Sequence, residues 1–213
     1  MTKKEGSTNE TRSRYDRIAP FYDWLEFPME KLLARKLRER VWSKVEGPDV
    51  LEVGVGTGKN IPCYPVNSNI TGIDISEKML KGAEASARKE PDEKAPSLHQ
   101  MDVQNLDFSE NTFDTTVATF VFCSVPNPIL GLREIHRVTR PEGEVMLLED
   151  VRPEPRLLGN LFDFFNPVTV RLLGVNINRE TVKNVRAAGL RINRVTNLTR
   201  GNIVKIISAK PDA

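Results

Sequence analysis

The chain is 213 residues long and 39% hydrophobic, enough for one globular domain with its own core. Its two cysteines, Cys63 and Cys123, stand too far apart for a metal pattern or a disulfide framework, and His99 and His136 add no ligand cluster; no metal and a reducing, cytoplasmic setting are expected. The net charge of +2 is unevenly spread, with 11 basic against 7 acidic side chains in residues 1–44, 9 against 17 in residues 45–149, and 11 against 5 in residues 150–213. Basic ends of this kind suit an anionic membrane surface or nucleic acid, or form a solvated face. The polar stretch Met1–Arg14 lacks the apolar core of a signal peptide, and no run approaches the ~20 apolar residues of a spanning helix. A soluble or peripheral protein is expected.

In chain order, residues 1–13 read as a mobile polar tail. From Tyr15 to Val45 the pattern is helical, with Leu25, Met29, Leu33, Leu37, Val41 and Val45 at steps of four and Pro28 breaking the run near its start. Lys31, Arg35, Lys36, Arg38, Arg40 and Lys44 fill its polar positions. Such a helix either packs its stripe on the domain or lies on a membrane. Phe21, Tyr22, Trp24 and Phe27 cluster at its head, and residues 14–45 read as an N-terminal helix or lid.

The stretch from Asp49 to Lys59 organises the chain. Val50, Leu51, Val53 and Val55 read as a buried strand, broken by Gly54, Gly56 and Gly58, which let the backbone turn sharply beside a ligand. A helix is expected to open directly afterwards, over Lys59–Tyr64, with free N–H groups facing the same space. Twenty residues after Gly54, Asp74 ends a second apolar run, where an acid is placed to accept hydrogen bonds from a ribose diol. The spacing G-x-G-x-G is not the G-x-G-x-x-G of a dinucleotide fold, and Glu52, two residues before the first glycine, would repel a diphosphate but suits a cationic ligand. Gly58-Lys59-Asn60 lacks the spacing of a Walker loop.

Further on, Ser76 caps a helix running to about Lys89, and Met79, three residues in, lies either against a bound adenine or in the core. Leu98–Asp102 is a third strand and Phe113–Phe122 a central, almost wholly apolar fourth. A helix from Pro126-Asn127-Pro128 through Arg140 precedes a fifth strand, Gly143–Val151. Residues 152–178 form an irregular insertion in which Leu157, Leu158, Leu161, Phe162, Phe164, Phe165, Val168, Leu172 and Leu173 crowd together. It reads as the lid of an acceptor site, a membrane-touching patch, or core. Arg179–Gly189 is a helix, and Leu190–Leu198 with Asn202–Ala209 alternate as a hairpin around Arg200-Gly201-Asn202.

These motifs resemble those of the class I S-adenosylmethionine (SAM)-dependent methyltransferases. Val50–Gly58 is similar to their first motif, Phe113–Val117 to the fourth-strand motif, and Arg140-Pro141-Glu142-Gly143 to the turn before strand five. Tyr15–Asp23 is similar to the lead-in of ubiquinone/menaquinone methyltransferases and of bacterial phosphatidylethanolamine N-methyltransferases, and Phe122–Val125 resembles membrane-associated thiol methyltransferases. The resemblance implies one α/β domain over residues 1–213, with a Rossmann-like seven-stranded sheet in the order 3-2-1-4-5-7-6, strand 7 antiparallel, and helices on both faces. It implies SAM as cofactor, with S-adenosylhomocysteine (SAH) as product. The expected cofactor contacts are Tyr15, Glu52, Gly54, Gly56, Gly58, Asp74, Ile75, Met79, Asp102 (near the adenine amino group), Val103, Thr119, Phe120 and Ser124.

Methyl transfer from a sulfonium is a direct displacement that needs alignment, water exclusion and a base for any acceptor proton. Tyr15 and Tyr22 are expected to flank the sulfonium or acceptor, since a phenol offers a face for a cation and a hydroxyl. Relatives with a histidine after strand four have it replaced here by Cys123 and Ser124. Asp150 stands as a base or ammonium-binding anion, or as a solvated loop carboxylate. The expected acceptor is lipophilic or amphiphilic: a phospholipid headgroup amine first, a demethylated quinone or a small thiol next. A SAM-binding regulator without turnover is the alternative class. The absence of an NPPY-like tetrapeptide after strand four argues against base methylation, and nucleic acid is not the expected partner. A monomer or weak dimer is expected, with peripheral contact to an anionic membrane at its inner face.

Overall fold

The computed structural model describes residues 8–29, 34–153, 156–173, 175–199 and 202–212. Their helices are α1 (Thr8–Met29), α2 (Arg35–Trp42), α3 (Glu77–Ala87), α4 (Pro128–Val138), α5 (Arg156–Leu173) and α6 (Thr181–Ala187). Their strands are β1 (Asp49–Val53), β2 (Asn69–Asp74), β3 (Ser97–Gln100), β4 (Phe113–Thr119), β5 (Thr139–Asp150), β6 (Leu190–Asn197) and β7 (Val204–Pro211). They form one seven-stranded sheet in the order β3-β2-β1-β4-β5-β7-β6, with β7 antiparallel to both neighbours, as the sequence motifs imply.

Alternation along β1 sets the two faces. Val50 packs with Leu37, Val41 and Trp42 of α2 and Leu80 and Ala83 of α3. Leu51 and Val53 pack with Leu132, Ile135 and Val138 of α4 and Val185 of α6. The strip is apolar on both sides because parallel strands are covered on both faces. The amino ends of three strands are clamped by charge: Arg140 pairs with Asp114 and, at 3.1 Å, with Asp49, whose own N–H donates to Asp114. Gly143 is needed in that turn, because a Cβ there would stand 2.5 Å from the Asp114 carbonyl oxygen.

Several expectations are corrected. Residues 8–13 are not tail but the first turns of α1. No α-helix opens after the glycine turn; only a 3-10 turn, Ile61–Cys63, follows, and the next α-helix starts at Glu77. The insertion at 152–178 is mostly regular, a single 18-residue helix with Pro167 inside. β4 stops at Thr119 because Phe120 takes a positive φ of 58°. The Ser76 cap is present, its hydroxyl accepting the Met79 N–H at 3.2 Å. Residues 1–7, Leu33, Arg200 and Gly201 lie outside the described residues, as do the side chains of Phe21, Tyr22, Trp24, Leu25, Phe27, Met29, Leu157, Leu158, Val168, Leu172 and Leu173.

Candidate active site

At the carboxyl ends of β1, β2 and β4, where open α/β sheets receive ligands, lies a cavity of about 850 Å³ including its mouth. The glycine turn forms its floor. Gly54 has φ +69°, and a Cβ there would stand 2.5 Å from Val121. Gly56, at φ +56°, has open space where a Cβ would be, so a ligand can approach its backbone. Gly58 also has a positive φ, but its missing Cβ makes room for Ile61, Ala83 and Ser86, so it serves α3 packing and not the cavity wall.

Asp74 closes one side. Its carboxylate accepts the Gly56 N–H and the Ser76 N–H, each at 2.9 Å, which fixes it to the glycine turn and to the cap of α3. Burial nonetheless raises its pKa to about 6, against the lowering effect of these backbone bonds. Ile75, Met79, Asp102 and Val103 line the same side, and Met79 does so while only 1% exposed. Asp102 accepts bonds from Gln104 and, at 2.9 Å, from the Thr8 hydroxyl. Helix α1 therefore lies across the cavity: Thr11 and Tyr15 line it, and the Ser76 hydroxyl donates to Asp16 at 2.6 Å.

The opposite wall is Thr119, Phe120, Val121 and Ser124. The left-handed backbone at Phe120 is a strained conformation of the kind found at functional sites. It is held from beneath by Glu149. This fully buried carboxylate accepts the N–H groups of Val121 (3.0 Å) and Phe122 (3.1 Å), and burial pushes its pKa up to about 8. Glu149 was not anticipated from sequence; it falls inside the fifth strand, one residue before Asp150.

Glu52 does not line the cavity. It lies on the other side of β1, fully buried, accepting hydrogen bonds from Asn60 and Tyr64, and desolvation raises its pKa to about 7. Asn60 also donates to the Thr119 hydroxyl at 2.9 Å, so Glu52 supports the wall through an intermediary. Arg38, buried on α2, reaches the cavity instead, donating to Thr119 (2.9 Å) and Asn60 (3.2 Å) with its guanidinium 5.4 Å from the Phe120 ring centre. Asp150 ends β5 outside the wall, and Cys123 is buried behind it with its thiol directed at the Phe120 carbonyl. Among the expected catalytic residues, Tyr15 lines the cavity, Asp150 does not, and the Tyr22 side chain lies outside the described residues.

These residues fit SAM. The open cradle at Gly56, the buried acid at the tip of β2 and the second acid at Asp102 match a ribose diol and an adenine amino group, while an unpaired diphosphate would face two carboxylates. Sheet order, glycine turn and acid together define the class I methyltransferase architecture. Residues 51–147 match the family described as a methyltransferase domain, and the chain is similar to SAM-dependent methyltransferases. It is 44% identical over 102 residues to a phosphatidylethanolamine N-methyltransferase of Cereibacter sphaeroides, covering 48% of this chain and 50% of that protein. It is 25% identical over 179 residues to a demethylmenaquinone methyltransferase of Bacteroides fragilis, covering 81% and 73%. The chain thus spans half the length of the first relative. Among solved structures, a SAM-dependent methyltransferase from Thermotoga maritima superposes with a TM-score of 0.70 at 18% identity, over 94% and 99% of the two chains. The cyclase SpnF superposes with a TM-score of 0.71 at 20% identity, over 84% and 81%. A cyclase on this scaffold means the likeness bears on fold alone.

Proposed function

We propose that this protein transfers a methyl group from SAM to the headgroup amine of a phospholipid. The observation that carries methyl transfer is the cavity built by Gly54, Gly56, Asp74 and Asp102 under helix α1. SAM supplies an electrophilic methyl group when bound. Asp74 would hold its ribose diol and Asp102 its adenine amino group, and α1 would exclude water from the reacting atoms. On the wall contributed by α1, Tyr15 offers a ring face that suits a cationic headgroup and a hydroxyl that orients it. The amine is favoured by the 44% identity to the Cereibacter enzyme over 102 residues. A demethylated quinone is the second reading, favoured by the longer match to the quinone enzymes and by apolar wall residues such as Val121, Val125 and Pro126.

The test is methyl transfer from labelled SAM to vesicles containing phosphatidylethanolamine, set beside demethylmenaquinone and a small thiol. Label in monomethyl-phosphatidylethanolamine with matching SAH release is expected. Label only in the quinone establishes the second reading. SAH binding without label in any acceptor makes the protein a cofactor-binding regulator.

A further inference from the structure

Helix α5 exposes large apolar side chains. A surface helix of a soluble protein ordinarily buries its apolar stripe and exposes its polar one. Among its described side chains, several that touch the rest of the protein are polar or small. Gly159 stands against the Arg152 guanidinium, Asp163 pairs with Arg152 at 2.8 Å, and the Asn166 side chain, only 2% exposed, accepts the Ile177 N–H at 2.9 Å. Thr169 donates to the Val175 carbonyl at 3.0 Å. The outer side carries Leu161, Phe164 and Phe165, at 50%, 75% and 48% exposure, and Arg171, one helical repeat beyond Phe164, is exposed as well. Two phenylalanines held in contact with water cost apolar hydration that a polar residue would avoid.

We propose that this face of α5 docks on an anionic lipid bilayer. Charge selects that occupant. Arg171 stands exposed on the same helix, and the segment 150–213 as a whole carries 11 basic against 5 acidic side chains, so an anionic surface is attracted. Position agrees. Asn166 bonds to Asn176, whose N–H donates to the Cys123 carbonyl at 2.8 Å, one residue from Ser124 in the cavity wall. The apolar ridge is therefore tied to the rim through which a lipid-borne acceptor would enter. No helix among the described residues is long and apolar enough to cross a membrane, so the contact is interfacial. Helix α2, the other candidate membrane segment of the sequence, buries Leu37, Val41 and Trp42 against the sheet and takes no part.

The inference extends the lipid-acceptor reading, but its test stands apart from it. The full chain is sedimented with vesicles of phosphatidylcholine alone and of phosphatidylcholine with phosphatidylglycerol, at low and high salt, with SAH affinity measured in parallel. Binding to the anionic vesicles that weakens with salt is expected. In the double variant Phe164→Ser/Phe165→Ser, vesicle affinity should fall roughly tenfold or more with SAH affinity unchanged. No binding of the parent chain to anionic vesicles at low salt overturns the proposal, as does equal binding by the variant. A dimer of the parent chain that the double variant abolishes, without vesicle binding, assigns the face to self-association. Vesicle binding without SAH binding leaves the docking face standing and removes the methyltransferase reading instead.

Discussion

At the scale of single residues, the cavity rests on a carboxylate that neighbouring backbone groups hold in place. Asp74 was legible in the sequence because an acid twenty residues after a glycine turn can only reach one place once β1 and β2 pair in register. Glu52 and Gly58 were less so: period-two alternation along β1 sends Glu52 to the face of Tyr64, and α3 fills the space that Gly58 leaves. Arg38 looked like one of several solvated charges, and only the fold of α2 over β1 shows it buried. Replacing Asp74 by Ala should weaken SAH binding by roughly 1.5–3 kcal/mol for each hydrogen bond to charge that is lost. Because burial raises its pKa to about 6, and only the ionised form accepts bonds through both oxygens, SAH affinity in the parent chain should fall as pH drops through about 6. Calorimetry across that range checks both; unchanged affinity in the variant removes Asp74 from the site.

Among the elements, the strands were the most legible and the flanking helices the least. A strand announces itself by its apolar run, as β1 does between Pro48 and Gly54 and as β2, β4 and β5 do between polar or turn residues. Helix α5 looked irregular because Leu161, Phe164 and Phe165 are exposed while Asn166 is buried, which departs from the usual stripe. Helix α1 was split by sequence into tail and lid, yet its first turn carries Thr8 on Asp102 and its middle carries Asp16 on Ser76. Those two contacts touch the residues that would hold the adenine and the cap next to the ribose acid. Filling the cavity should therefore order α1, as closing lids do. Proteolysis of the chain is expected to cut before about residue 25 without ligand and to slow several-fold with saturating SAH, in proportion to the shift in the open population. Equal cleavage rates with and without SAH would show that α1 is a fixed wall.

For the molecule as a whole, the buried carboxylates give stability a direction with pH. Glu52, Asp74 and Glu149 are desolvated by the sheet and its covering helices, which raises them to about 7, about 6 and about 8, above the values of 4.5, 3.8 and 4.5 of free carboxyls. The folded state then binds more protons than the unfolded chain between those limits. Stability is fully present below the unfolded values and is lost as pH rises through the folded ones. Asp114 and Glu134, lowered by Arg140 and Arg137, act in the opposite sense but titrate below that window. The ligand-free protein should thus melt at a lower temperature at pH 8.5 than at pH 5.5. Glu149→Gln should flatten part of that slope: a neutral amide leaves no charge to desolvate, and its oxygen still accepts a bond from the Val121–Phe122 turn. The flattening should amount to roughly 1–3 kcal/mol, or about 2–10 °C in a chain of this size. Thermal melts of both proteins across this range are the check. A parent midpoint that rises with pH, or a variant with the same slope, would mean that Glu149 is ionised in the fold and stabilised by its two N–H donors.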